Sequence, residues 1–383
     1  AGFLVEKIKG RLEFTKHKYD NDKVSSPEDG FSFIKIPTLF AVDDGLMPFE
    51  DLWDSEFKEV GRPTIAVSKK HKSKSEEYFF RKNPQRRPKI KQTKLESIFG
   101  DKYLSADKIV KRFNARWSEH PLTITSRVGN VEIRRHASCA TRVFHQGSVT
   151  KGGRYYGLWT SLDKSSRLQA TIDGDPTVQI DINASQPTLF SCFMGDKMNV
   201  DGDEWSDIYQ ECIETLPPEA LEFYGRDDSR KKIKTVIMEM IGTGNSNKRG
   251  PALVHQEQFN EAPYAAFRSE YTMYREAALS KIPALGRLKK GEFDTHYLSY
   301  HESQVMTHAL HFLDENEITA YPMHDCLIVK EEHQNEAIET FQNALNSYVQ
   351  SQSIQFDVGF NIEVAMSVEK AGKDTVRMCG RYS

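Results

Sequence analysis

The sequence predicts a protein of the α+β class. Strand-like segments within residues 122–144 and 318–368 flank a helix-rich section that spans about residues 205–288. Separate runs of strands and helices are typical of α+β folds, whereas regular alternation is typical of parallel α/β folds. With 383 residues, the chain is long enough for two or three domains, or for one domain with subdomains, around a sizeable core.

The first hundred residues are predicted to form a separate N-terminal region. Short β-like runs occur at residues 2–14 and 31–42, and a basic segment follows at residues 69–94. This basic segment holds eleven Lys or Arg, two Glu and the aromatic run Tyr78–Phe80, without helical or strand periodicity. It is predicted to be an exposed loop or linker. Basic residues interleaved with aromatic ones also suit phosphate binding through counterion release, so both interpretations stay open.

The remaining elements follow from apolar spacing. Ser105 is predicted to cap a helix that extends to Trp117 and places Ile109 and Phe113 on its apolar face. Further elements are predicted by the same patterns. They are strands at 122–126, 131–134 and 142–144, a helix at 301–313, two strands around a tight turn at 318–329, a helix at 331–350 and a strand at 360–368.

Charge and composition set several classes of protein aside. The net charge of −3 does not itself indicate a nucleic-acid protein, but the basic segment carries +9 and the other residues −12. No stretch approaches the roughly 18 apolar residues of a membrane span, and no secretory signal is apparent. The five cysteines are scattered without a CxxC pair, so neither a zinc site nor a disulfide framework is predicted. The expected compartment is the cytoplasm of a bacterial or phage-infected cell, with an organelle left open.

The first motif with chemical potential is TVQIDINASQP at residues 177–187. An apolar strand ends on Asp181, and a helix with Leu189, Phe190 and Phe193 follows. A carboxylate at this point can reach into a cleft while the sheet fixes its backbone. The alternative is that Asp181 only caps the following helix.

The second motif is YPMHDCLIV at residues 321–329, which is predicted to be a hairpin with Asp325 at its tip. An aspartate in an ordinary turn is the alternative. Two strand-end carboxylates, in a chain without a Cys/His cluster, suit two Mg²⁺ ions, with Mn²⁺ as a substitute. Such ions activate an attacking 3′-hydroxyl and stabilise a leaving pyrophosphate.

The third motif lies between the other two, at residues 226–244. Ser229 or Asp228 is predicted to cap a helix on which Arg230, Lys234 and Met238 share one face. Two cations one turn apart suit the phosphates of a nucleoside triphosphate, and Met238 suits its base. A solvated basic helix face is the alternative.

In this order, the three motifs resemble motifs A, B and C of the polymerase superfamily that contains bacterial DNA polymerase I and the phage-type single-subunit RNA polymerases. The R-x3-K spacing matches the family's finger helix. Gly153-Arg154 is similar to the family's Gly-Arg segment, Gln304 to the Gln before motif C, and residues 361–367 to the last palm strand. The resemblance covers about residues 150–383.

The resemblance implies a right-hand polymerase fold with an additional N-terminal α+β region. Its parts would be an N-terminal region at 1–100, a thumb or duplex-contact region at 101–169, a palm at 170–200 and 290–383, and fingers at 201–289. It also implies DNA primer-template and nucleoside triphosphates as partners, with RNA left open and no membrane. The resemblance implies catalysis and metal binding by Asp181 and Asp325, and leaving-group protonation by Lys234. The residues implied in nucleotide binding are Arg230, Lys234, Met238, Gln186, Ser185 and Gly242. Those implied in primer or template contact are Arg154, Tyr155, Tyr156, Gln304 and His324. A turn-stabilising role for His324 and a core role for both tyrosines are the alternatives.

The sequence also departs from the family. DNA polymerase I has a Glu that excludes the ribose 2′-hydroxyl where this chain has Gln186, and a finger Tyr where this chain has Gly242. Ser185 and Cys326 are closer to the RNA polymerase pattern. The bulk of Gln186 favours deoxynucleotides, so template-directed DNA synthesis is expected, with primase activity left open and no proofreading. A single-subunit RNA polymerase, a two-metal nuclease and a non-catalytic replication initiator are the alternative functions.

Overall fold

The computed structural model describes residues 3–8, 11–16, 39–42, 45–48, 63–73, 75–76, 79–80, 87–128, 131–194, 208–252, 255, 258–259, 267–289, 293, 295–352, 364–372 and 376–379. Some expectations fall in the gaps between these ranges. They concern the β-like residues 31–38, Tyr78 and residues 360–363, which lie outside the described residues.

The described segments mix helices and strands, as the α+β prediction requires. The α-helices, numbered α1 to α9, are Leu95–Phe99, Asp101–Glu119, Lys164–Leu168, Ser185–Phe193, Ile208–Glu214, Pro218–Thr243, Phe267–Lys281, Thr295–Glu315 and Gln334–Gln352. The strands, numbered β1 to β15, are Phe3–Ile8, Arg11–Lys16, Leu39–Val42, Gly45–Pro48, Ile65–Val67, Leu122–Val128, Val131–Ala137, Ala140–Phe144, Gly152–Gly157, Thr171–Ile172, Asp175–Ile182, Ala320–Met323, Cys326–Lys330, Ala365–Lys370 and Val376–Cys379. None of the described helices is both long and apolar enough to span a bilayer.

Strand β11 is the centre of the main sheet. It pairs antiparallel with β13 on one edge and with β14 on the other. Over the described residues this sheet has eight strands, in the order β12-β13-β11-β10-β6-β7 with β14 and β15 joined to β11. Val178, Ile180 and Ile182 of β11 are buried, so the core holds the strand on both sides of Asp181. The β6–β7 hairpin joins the same sheet through β10, across the boundary predicted between residues 169 and 170.

A cluster of buried aromatic rings fixes residues 101–169 against strand β12. Trp117 of α2 stacks on Tyr321, with ring centroids 5.3 Å apart. The indole of Trp117 donates to Ala320 O at 2.8 Å, and that of Trp159 donates to Pro322 O at 2.7 Å. Because each buried indole N–H has a partner, these large rings pack without an unsatisfied donor. The packing fixes β12, and with it the hairpin turn that follows.

Three predicted helix starts are wrong. The helix predicted at 301–313 begins six residues earlier, at Thr295. Helix α2 begins at Asp101, not after Ser105, because Gly100 has the positive φ of 52° and precedes the first helical turn. Helix α6 runs from Pro218 with a break at Gly225, whose φ is 72°. Ser229 and Asp228 therefore lie inside the helix and cap nothing. Glycine supplies these backbone conformations at low steric cost, which explains both positions.

The described ends of the basic segment are tied to the protein rather than free as a linker would be. Ser68 pairs with Lys89 beside strand β5, and Lys69 N donates to Pro88 O at 2.8 Å. Strand β5, absent from the sequence prediction, pairs parallel with β8, which pairs with β9. The segment thus leaves and returns at one place on a three-stranded sheet.

Candidate active site

A cavity of about 580 Å³ opens where β11, the β12–β13 turn, α6 and α8 meet. It brings together most of the residues that the sequence predicted as a site. These are Arg154, Asp181, Ser185, Gln186, Arg230, Lys234, Met238, His324 and Asp325.

The two aspartates are fixed by adjacent strands. Asp181 on β11 is paired with Cys326, the first residue of β13, and Ile182 N donates to Asp325 O at 3.1 Å. Helix α4 begins after Ala184 without a side-chain cap, so Asp181 does not cap that helix. The backbone of the hairpin turn at His324 has a φ of 61°, in the left-handed region. Both carboxylates therefore reach the cavity from backbone that the sheet holds in place.

Acidic side chains are concentrated in this cavity. Burial, and then the neighbouring Asp325 carboxylate, raise the pKa of Asp181 to about 8, while Lys234 acts in the opposite direction. Burial and Asp325 likewise raise the pKa of Glu302 to about 7. Glu369 of β14 also lines the cavity. We call these four carboxylates, Asp181, Glu302, Asp325 and Glu369, the acidic pocket.

Sequence reasoning missed Glu302, which is 3% exposed on helix α8. Its Oε2 accepts from Arg154 Nε at 2.8 Å, and its Oε1 accepts from Ser185 Oγ at 3.0 Å. A buried carboxylate in this ion pair positions Arg154 on the cavity wall. The available signal was a Glu on the apolar face of a predicted helix, two positions before Gln304. Gln304 itself is half-buried and does not line the cavity.

Helix α6 presents its cations to the same cavity. The guanidinium of Arg230 lies over the ring of Tyr209, 4.9 Å from its centroid, and donates to Asn183 Oδ1 at 3.3 Å. Lys234 is exposed one turn later, and Met238 follows after another turn. Tyr209 and Asn183, which the sequence did not indicate, also line the cavity. They hold the Arg230 side chain while leaving its charge at the surface.

Gln186 stands at the start of helix α4 and is 7% exposed. Its Nε2 donates to Ser299 Oγ at 3.3 Å, and its Oε1 has no hydrogen-bond partner among the described residues. A buried unpaired acceptor facing a polar cavity can accept from a ligand. Gly242 does not line the cavity, but a Cβ there would lie 2.8 Å from Oγ1 of Thr295, which does.

The two adjacent tyrosines of β9 have different environments. Tyr155 is 2% exposed and its hydroxyl lies 2.9 Å from Thr307 Oγ1, so it packs in the core, which was the alternative to a primer or template contact. Tyr156 points the other way and meets the His324 ring edge-on, with centroids 5.7 Å apart. Burial lowers the pKa of His324, whose Nδ1 has no partner among the described residues.

The acidic pocket fits a divalent cation by its donor chemistry. No group of three or more His, Cys, Asp or Glu in the described ranges is arranged as a metal site. Mg²⁺ is commonly bound by one or two carboxylates, with waters and substrate phosphates as the other ligands. Asp181 and Asp325 would therefore be enough protein ligands for such an ion. The pKa of Asp181 is raised first by burial and then by the Asp325 carboxylate, and a bound cation would offset both effects.

Of the comparisons with known proteins, the one with solved structures found matches. No protein family and no curated protein matches the sequence. Among solved structures, the chain is similar to the POL domain of Pol1 from M. smegmatis in complex with DNA primer-template and dNTP, at 12% identity and a TM-score of 0.35. The match covers 83% of this chain and 59% of that one, so this chain spans less than two thirds of its length. At this level of similarity no residue role transfers, and the functional assignment depends on the cavity itself.

Proposed function

We propose that this chain is a nucleotidyltransferase that adds nucleotides to a 3′-hydroxyl, as a template-directed polymerase does. The observation that supports this proposal most strongly is the composition of one cavity. Asp181 and Asp325 line it from two neighbouring strands, and Arg230 and Lys234 line it from helix α6. A nucleoside triphosphate requires both features, because its phosphates need cations and its reacting centre needs metal-binding carboxylates.

The cationic helix face would bind the triphosphate. Arg230, already oriented by Tyr209 and Asn183, would donate to the outer phosphates, and Lys234 would neutralise charge on the departing pyrophosphate. Lys234 is also the candidate proton donor to that leaving group. Met238, two turns beyond Arg230 on the same face, would pack against the base.

Asp181 and Asp325 would hold the metal ions, Mg²⁺ or its substitute Mn²⁺. When bound, such ions lower the pKa of the attacking 3′-hydroxyl and stabilise the leaving group. The protein supplies the positions of the two carboxylates, since the pairing of β11 with β13 fixes their backbone. Ser185 and Arg154 keep Glu302 paired beside them.

The opposite side of the cavity would receive the primer end. Arg154 and His324 line the cavity, and Tyr156 lies against His324, so a cation and aromatic rings would be available for phosphate and base contacts. In this proposal strands β10 to β15 belong to the palm, helices α5 to α7 belong to the fingers, and residues 101–169 contact the duplex. The substrates would be DNA primer-template and deoxynucleotides, with Gln186 next to the sugar.

The test is primer extension by the wild-type chain, with labelled dNTPs or rNTPs on DNA and RNA templates, with and without a primer. The proposal expects lengthening of a primed DNA strand by dNTPs. Lengthening by rNTPs alone would assign an RNA polymerase, and product without a primer would add primase activity. Shortening of the strand without added nucleotide would replace the proposal with a nuclease. Metal-independent binding without turnover would indicate a non-catalytic replication protein.

A further inference from the structure

A second group of polar side chains lies outside the cavity, where three distant parts of the chain meet. His145 follows strand β8, and its Nδ1 lies 3.2 Å from Arg87 Nη1 and 3.3 Å from Ser68 Oγ. The ring of His296, at the start of helix α8, lies 4.5 Å from the His145 ring, centroid to centroid. We call Arg87, His145 and His296 the histidine cluster. Arg87 belongs to the basic segment, whose function the cavity does not explain.

The backbone around the histidine cluster is built to hold it. His145 N donates to Lys151 O at 2.8 Å, and Gly147 N donates to Ser68 O at 2.6 Å. A Cβ at Gly152 would lie 2.5 Å from Cδ2 of His145, so only glycine leaves room for the imidazole in this position. The ring is therefore placed by β9 and by the base of the basic segment together.

The hydrogen bonding fixes the tautomer of His145. A guanidinium can only donate, so Nδ1 of His145 accepts from Arg87 and the proton of the neutral ring lies on Nε2. Arg87 Nε is buried and has no hydrogen-bond partner among the described residues. The cluster thus combines a positive charge with N–H donors, and it has more donors than acceptors.

The ionisable groups that act most strongly on His145 are basic. They are His296, Arg87, Arg154 and His71. Together with burial, the larger effect, they lower the pKa of His145 to about 3. The guanidinium charge of Arg87 and its buried, unpartnered Nε match an anion with several acceptor oxygens, and phosphate is the biological anion of that kind.

Strand β9 connects the histidine cluster to the cavity. Along this strand Gly152 meets His145, Arg154 lines the cavity, and Tyr156 meets His324, with a β-bulge between Gly152 and Arg154. At about 3.3 Å per residue, Gly152 and Tyr156 are at most roughly 13 Å apart. The histidine cluster lies outside the cavity, so a ligand that contacts both must extend beyond the cavity, as a nucleic-acid strand does.

We propose that the histidine cluster binds a backbone phosphate of the nucleic-acid strand that passes through the cavity. The basic segment contributes Arg87 to this site. The inference rests on the proposed function for the course of the strand, but its phosphate chemistry stands on the cluster. Arg87 supplies the charge, and the Nε2–H of His145 supplies a directed donor.

The test measures binding, not catalysis. Fluorescence anisotropy of a labelled primer-template, without nucleotide and over a range of salt concentrations, is compared for the wild-type chain, Arg87→Gln and His145→Gln. Loss of one cationic phosphate contact lowers the slope of log affinity against log salt by about one. We expect that change for Arg87→Gln, weaker binding by about tenfold for both variants at low salt, and partial recovery in Arg87→Lys. The control is His311→Gln, an exposed histidine at the far end of the same helix α8 as His296.

The outcomes separate the two proposals. Unchanged affinity and salt slope in folded Arg87→Gln and His145→Gln, with primer extension intact, would overturn the phosphate site alone. A raised KM for dNTP with unchanged strand binding would also overturn it, since the anion would then be the triphosphate. Strand binding that depends on Arg87 in a chain that extends no primer would keep the site and reject the polymerase.

Discussion

The acidic pocket and the histidine cluster follow the same physics with opposite signs. In the acidic pocket, burial and then the neighbouring Asp325 carboxylate raise the pKa of Asp181 to about 8. In the histidine cluster, burial and then the neighbouring basic groups lower the pKa of His145 to about 3. Both arrangements raise the free energy of the ligand-free chain, and the fold holds both in place. This difference is consistent with the two ligands that we propose, a cation in the acidic pocket and a phosphate at the histidine cluster.

The largest expected effect comes from removing a carboxylate of the acidic pocket. Asp181→Ala and Asp325→Ala should each lower the rate of nucleotide addition by about 10³-fold or more, because the metal ions lose a ligand. The measurement is single-turnover extension of a primed DNA template, with primer-template binding unchanged. Asp175→Asn is the matched control, since Asp175 is exposed at the other end of strand β11. Extension within tenfold of wild type by either alanine variant would refute the assignment.

A smaller effect is expected from the cationic face of helix α6. Arg230→Ala and Lys234→Ala should lower kcat/KM for the nucleotide by about 10- to 100-fold, because each removes a charge-assisted phosphate contact. Steady-state kinetics at saturating primer-template measure this change. Lys231→Ala, which removes an exposed charge that does not line the cavity, should leave kcat/KM unchanged. An equal loss of kcat/KM in all three variants would mean that the overall charge of the helix, and not phosphate contact in the cavity, determines nucleotide binding.

Sugar selection should respond to Gln186. Gln186→Ala should increase incorporation of rNTP relative to dNTP by about tenfold, because a buried side chain next to the sugar would be lost. Competition between labelled dNTP and rNTP measures the ratio. Gln186→Glu keeps the bulk and should keep the ratio near that of wild type. An unaltered ratio in the alanine variant would remove Gln186 from the role.

The pH dependence of stability should distinguish the two regions. The folded pKa of Asp181 lies above its unfolded value, so its contribution to stability is present below about pH 4 and is lost as pH rises through about 8. The folded pKa of His145 lies below its unfolded value, so stability is lost as pH falls from about 6.5 toward 3. In urea unfolding, the free energy of unfolding of Asp181→Asn should therefore rise relative to wild type toward pH 8, and that of His145→Gln should rise relative to wild type toward pH 4. A difference from wild type that stays constant with pH in both variants would show that neither pKa is shifted as described.

The sequence predicted those parts of the site that depend on local pattern. Asp181 follows an apolar strand, Asp325 lies in a hairpin turn, and Arg230 and Lys234 are one helical turn apart. Glu302 and Tyr209 were missed because only the packing of α8 and α5 brings them to the cavity. For Tyr155, alternation separated its face from that of Tyr156, but it did not say which face is buried.

The fold shows the same division. Most helices and strands after residue 100 follow from apolar periodicity, with ends that shift by a few residues. The pairing of Ser68 with Lys89, which anchors the basic segment, joins residues far apart in the sequence. No periodic signal marks such a bridge. The histidine cluster depends on this bridge, so it could not be predicted from composition alone.

The most direct measurement is the rate at which the wild-type chain adds one deoxynucleotide to a primed DNA template while Mg²⁺ is removed by a chelator and then restored. The account predicts no addition without the metal ion and a saturable return of activity as Mg²⁺ or Mn²⁺ is added. Nucleotide addition at full rate in excess chelator, or none at any metal concentration, would contradict it.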